Sequence, residues 1–185
     1  MRLENTFEVP AAPDAAWALL MDVPRIIPCM PGAKLDETVD DANWKATVNV
    51  KLGPISLTFA TDVKREEADE ASRRAKLSAT AREARGRGNA QATIESSLTS
   101  QNGGTRVDIV TDLALSGAVA QYGRGIVADV SSQLVTKFAD CLKAQLAASP
   151  EEAQAAVAAQ ARPVGGLRLG AGALWRAFVR LFRRG

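Results

Sequence analysis

Histidine is absent from the 185 residues, and aromatic side chains are few: three tryptophans, five phenylalanines and a single tyrosine. Without imidazole there is no Ser/His/Asp triad, no histidine-bearing metal site and no imidazole proton relay. Only two cysteines occur, Cys29 and Cys141, far apart and outside any C-x-x-C spacing, which excludes a disulfide scaffold. They read most simply as reduced thiols of a cytosolic protein, with a single disulfide between them left open. A Cys29 nucleophile would lack a histidine partner, so a buried or loop thiol is the expected role. Phosphate loops are missing too. Gly86-Arg87-Gly88 and Gly123-Arg124-Gly125 lack the rest of a dinucleotide fingerprint, and no Gly-Lys-Ser/Thr is present. The opening residues Met1-Arg2-Leu3-Glu4-Asn5 bring an acid at once with no apolar run behind it, so no signal peptide is expected.

What remains is a globular composition, 46% hydrophobic and 24% charged. Charge is unevenly spread. Residues 1–150 carry a balance of −2, whereas residues 151–185 carry six arginines against two glutamates, all six arginines falling from Arg162 onward. Such an end points to an anionic surface.

Leu3, Asn5, Phe7 and Val9 alternate with Glu4, Thr6 and Glu8, the period of a strand, until Pro10 and Pro13 end it. Pro13-Asp14 opens a short helix through Met21, and a second helical turn fits Arg25 to Ile27 before Pro28, Pro31 and Gly32. From Ala33 to Leu115, six antiparallel strands fit between turn signals at Asp40 to Asn43, Gly53-Pro54, Glu66 to Glu70, Gly86 to Gly88 and Gln101 to Gly104. The acids Asp36, Glu37, Asp40 and Asp41 read as solvated turn surface rather than a catalytic pair. Ala118 to Leu146 then runs without proline, with Tyr122, Ile126, Val130, Leu134, Phe138 and Cys141 at helical spacing, although Gly123 and Gly125 weaken its first turns. The segment 149–165 reads as a flexible linker rich in Ala, Gln and Gly.

The fold class is therefore α+β: a curved seven-stranded antiparallel sheet around a long C-terminal helix, over residues 1–148. One sheet face collects Ala46, Ala75, Ala79, Ala81, Ala90 and Ala92 among larger apolar residues. Alanine is too short to span the roughly 10 Å between a sheet and its packed partner, so the helix sits very close or leaves an oily void. The residues expected to line that void are Ile27, Met30, Val48, Leu57, Phe59, Leu77, Ala79, Ala92, Ile94, Ile109, Leu113, Tyr122, Ile126, Val130 and Leu134. Thr111, Ser96 and Tyr122 are the hydroxyls placed to orient a guest.

Val9-Pro10 to Trp17, Cys29-Met30-Pro31-Gly32-Ala33, Lys51-Leu52-Gly53-Pro54-Ile55 with Phe59, Gly103-Gly104-Thr105-Arg106 and Gly117-Ala118-Val119-Ala120-Gln121-Tyr122-Gly123 together resemble the CoxG family of carbon monoxide dehydrogenase proteins, within the START-like (SRPBCC) helix-grip superfamily. The resemblance covers about residues 1–146. It implies an internal apolar cavity and an accessory, non-enzymatic role beside a molybdenum-containing carbon monoxide dehydrogenase or a related hydroxylase, in maturation or in attachment to the cytoplasmic membrane. No covalent cofactor or metal is expected. The expected ligand is a lipophilic small molecule, for a respiratory partner an isoprenoid quinone. A pure recruitment or maturation adaptor is the rival reading. A cyclase or hydratase of the same superfamily would need inward acids or a tyrosine pair, and Tyr122 is the only tyrosine.

Residues 166–185 add a device of their own. On a helical wheel Leu174, Trp175, Phe178, Val179, Leu181 and Phe182 share one arc, and Arg176, Arg180, Arg183 and Arg184 occupy the other. The apolar stretch is too short and too interrupted to span about 30 Å of hydrocarbon. It suits the interface instead, with arginines toward anionic lipid; the rival readings are a cap on the protein's own core, a groove on a partner enzyme and nucleic acid, and aromatics facing away from the arginines suit lipid better than phosphate. No nucleic-acid partner is expected. The expected location is cytoplasmic, peripheral on the inner face of the cytoplasmic membrane.

Overall fold

The computed structural model describes residues 1–52 and 55–147. The expected turn at Gly53-Pro54, the linker 149–165 and the tail 166–185 lie outside these described residues.

Strand β1 (Arg2–Val9) ends at Pro10, and helix α1 (Pro13–Met21) begins on a proline whose missing N–H costs nothing in a first turn. Asp22 then caps α2 (Val23–Ile26) by accepting from the Arg25 amide at 3.1 Å. A 3-10 turn, Ile27–Cys29, leads to β2 (Ala33–Thr38), β3 (Asn43–Leu52), β4 (Ile55–Asp69), β5 (Arg74–Glu83), β6 (Gly88–Gln101) and β7 (Gly104–Gly117). All seven strands form one antiparallel sheet, as expected, and its order is β1-β7-β6-β5-β4-β3-β2. Asn102-Gly103, both at positive φ, make the two-residue β6–β7 hairpin that matches strand twist. At the other end of this pair Gly88 and Gly117 are opposed, and a Cβ on Gly117 would stand 2.8 Å from the Gly88 Cα. That close approach requires glycine.

The long helix starts later than its sequence pattern predicts. Ala118–Tyr122 is a 3-10 turn, and α3 runs Gly123–Ala147, because Gly123 at φ +74° cannot continue a right-handed helix. The acidic run Glu66 to Glu70 is likewise no turn up to Asp69. It extends β4, and the chain reverses over the next four residues with Arg73 at positive φ. Asp36 and Glu37 sit on β2 rather than in a turn, solvated and paired with Thr47 and Lys45.

α3 rests chiefly on β1 and on the Ile27–Cys29 turn, and only its C-terminal half is buried. Phe138 meets Phe7 edge-on at 6.2 Å between ring centroids, while Asn5 reaches Ser131 at 3.3 Å. Cys29 and Cys141 are disulfide-bonded, their Cα atoms 5.4 Å apart, which corrects the reduced pair expected from their spacing. Docking of the last helical turns on the 3-10 turn makes neighbours of residues 112 positions apart, a relation that spacing cannot reveal. The same contact removes any thiol role for Cys29.

Candidate ligand-binding site

The inner face of the sheet carries two separate apolar clusters. The first joins Phe7, Val9, Trp17, Leu19, Leu98 and Val107 to Phe138, Ala139 and Leu142 of α3, with Met30 and Ile109 packed against it. The second, toward the Gly88–Gly117 end, is built on Leu57, Phe59 and Val119, with Val48, Val50, Ile55, Ala81, Leu115 and Tyr122 around it.

Between them lie two cross-strand rows in neither cluster. One row is Val63, Ala79, Ala92 and Leu113; the next contains Leu77, Ile94 and Thr111. All of these are half-buried, although their strands are central in the sheet. A central strand under a packed helix would lose such exposure. The alanines are short, and the buried residues of α3 all fall in its C-terminal half. Val130 and Leu134 are half-buried and Ile126 is 49% exposed. Ile27 is half-buried on its 3-10 turn. The sheet residues predicted to line the void share one face, and those of α3 are spread along its less buried half.

Polar groups on this face have distinct fates. Thr105 Oγ1 donates to the Ala11 carbonyl at 2.7 Å, and Ser96 is drawn to the Ala75 carbonyl at 3.5 Å rather than offered to a guest. Arg65 lies over the Trp44 ring, 5.5 Å from its centroid, and donates to the carbonyls of Asp41 and Met21. Glu83 is buried at the Gly88–Gly117 end. Burial alone pushes its carboxyl up, but amide donors from Arg87 and Arg85 outweigh that and hold it below the ordinary glutamate value. Thr61 is buried as well, and its hydroxyl has no partner among the described residues.

Sequence reasoning passed over Trp44, Thr61, Arg65 and Glu83. The first three were within reach, since the alternation that selects Ala46 and Phe59 continues to them. Glu83 was not, because an acid at a strand end reads as solvent-facing.

Arg82, Arg85 and Arg87 flank the β5–β6 turn and Arg124 follows at the start of α3, with the buried Glu83 among them. At the opposite end Glu66, Glu67, Asp69 and Glu70 are interleaved with Lys64, Arg65, Arg73 and Arg74, and Lys64 pairs with Glu66 at 2.8 Å. A depression of about 310 Å³ lies on the outer face, lined by Thr80, Arg82, Asn89, Gln91 and Ser116, and takes in none of the predicted apolar set. Among the described residues no group of three His, Cys, Asp or Glu side chains could hold a metal ion. No helix among them is long and apolar enough to cross a membrane. The predicted membrane-binding residues, Leu174 to Arg184, lie outside the described residues.

Residues 6–147 match the family model described as the CoxG subunit of carbon monoxide dehydrogenase. None of the curated proteins matches the chain. Among solved structures, a conserved protein from Geobacillus kaustophilus is similar with a TM-score of 0.71 at 19% identity, over 80% of this chain and 95% of that one. The Zhui aromatase/cyclase from Streptomyces sp. R1128 is similar at 0.54 and 13%, over 90% and 99%. A START superfamily protein from Mycobacterium smegmatis is similar at 0.50 and 15%, over 78% and 96%. At these identities the likeness shows the START-like helix-grip fold alone.

Proposed function

The chain belongs to the CoxG family of carbon monoxide dehydrogenase proteins, and from that premise we propose that it is a non-enzymatic accessory protein of a molybdenum-containing carbon monoxide dehydrogenase. It holds a lipophilic ligand, an isoprenoid quinone bound without covalent attachment, between α3 and the sheet. Through residues 166–185 it links the enzyme to the inner face of the cytoplasmic membrane.

One observation supports the ligand reading: the two inner rows through Ala79, Ala92, Leu77 and Ile94 stay half-buried on central strands, while the buried residues of α3 all fall in its C-terminal half. Exposed apolar surface of this kind costs about 25 cal/mol per Å², and a hydrocarbon guest recovers that energy. The membrane reading draws support from charge. Arg82, Arg85 and Arg87 at the β5–β6 turn and Arg124 at the start of α3, the helix on which Ile126 is exposed, offer cations to an anionic bilayer.

Solvent extraction of the purified full-length protein followed by mass spectrometry tests the ligand reading directly. A quinone recovered in near-stoichiometric amount, and saturable quenching of tryptophan fluorescence when quinone is returned, are expected. Extracts free of apolar compounds together with no saturable uptake refute the carrier. If deleting residues 166–185 then abolishes liposome binding while contact with the dehydrogenase persists, the recruitment adaptor stands in its place.

A further inference from the structure

Thr61 carries a buried inner-face hydroxyl without a partner among the described residues. It sits on β4 at only 8% exposure, and its Oγ1 is shielded from water with no hydrogen-bond partner among the described residues. Strand alternation places it on the ligand-facing side, one step beyond Leu57 and Phe59. Its cross-strand neighbours are Ala46 and Ala81, and the row continues through Ala90 to Leu115. None of these side chains offers a polar atom. The backbone groups beside it are taken up by the β3–β4 and β4–β5 ladders. Thr105, by contrast, is equally sequestered and fully satisfied.

A buried hydroxyl without a partner is a net liability, and valine would fill the same shape without it. We propose that Thr61 is the polar anchor of the ligand site. Rotation about χ1 turns its hydroxyl toward the small-residue row, where it donates a hydrogen bond to an oxygen of an otherwise apolar guest. The inference rests on the carrier reading and narrows it. The guest class is a hydrocarbon body bearing a carbonyl or hydroxyl oxygen at one end, not a pure hydrocarbon. Ala46, Ala81 and Ala90 present only a methyl group each beside that oxygen, and the half-buried row at Ala79 and Ala92 is the next one along the sheet, toward the body of the guest.

Two probes of matched shape separate the possibilities: 1,4-naphthoquinone and naphthalene, titrated into the full chain by tryptophan fluorescence and calorimetry. Thr61→Val is expected to weaken 1,4-naphthoquinone about tenfold, to change naphthalene less than about twofold, and to leave the melting temperature of the ligand-free protein equal or higher. Thr61→Ser restores the carbonyl preference. If Thr61→Val binds both probes like the parent, the anchor is wrong and the carrier survives. A lowered melting temperature without selective loss of the quinone shows that a buried water satisfies the hydroxyl, and also overturns the anchor. If the parent protein takes up neither probe, the carrier reading falls and the anchor with it.

Discussion

Enlarging Ala79 and Ala92 distinguishes a hollow from a tight seam. Ala79→Leu and Ala92→Leu each add three carbon atoms on paired residues of adjacent central strands, at half-buried positions outside both apolar clusters. If the space above them is open, each leucine buries part of its new surface. At about 0.8 kcal/mol per fully buried methylene and roughly half burial, the gain is about 1 kcal/mol. For a domain of this size that raises the melting temperature by about 3 °C. If the alanines already touch a close helix, the added atoms force off-rotamer side chains and backbone shifts at about 1–3 kcal/mol, a fall of about 3–9 °C. Thermal denaturation followed by circular dichroism reads the sign. The same substitutions occupy the volume a guest requires, so quinone affinity should drop at least about tenfold while stability holds or rises. A lowered melting temperature together with unchanged quinone uptake refutes the reasoning, because it places solid packing where the space was inferred.

The disulfide closes a separation of 112 residues, and chain-entropy arguments give such a bridge about 4–5 kcal/mol. Cys29→Ala with Cys141→Ala should therefore lower the melting temperature by about 10 °C or more, and a reducing agent should do the same to the parent protein while leaving the double variant unmoved. Glu83 supplies a pH signature. Its carboxyl is held below the ordinary glutamate value, so the stability it contributes is present above that value and is lost as pH falls through the lower folded value. Glu83→Gln should flatten this acid limb of the stability profile below about pH 4.5, and an unchanged limb in urea melts at stepped pH would show that the amide cradle contributes nothing.

Sequence periodicity was sufficient for the sheet. Alternation along β1 and through β3 to β7 grouped Leu57, Phe59, Ala79, Ala92 and Leu113 on one face, and the strand pairing fixes the register that places them together, with a shift between Arg65 and Glu67. The turn at Gly103 was legible, since its backbone needs angles that other residues resist. Boundaries were less legible. The solvated acids of β4 look like a turn until the ladder with β5 pairs their backbones, and helical spacing from Tyr122 gives no measure of the strain at Gly123.

By itself, then, the sequence determined the element types, the inward face and the unusual smallness of that face, all of which are local properties of period and side-chain volume. Tertiary structure alone decided what those elements meet. It placed α3 over the edge strand β1 with its C-terminal half buried, joined Cys29 to Cys141, hid Glu83 among backbone amides and left the Thr61 hydroxyl without a partner among the described residues. The reason is physical: such contacts depend on how distant surfaces dock, and docking is set by the summed packing of the whole core rather than by any window of residues.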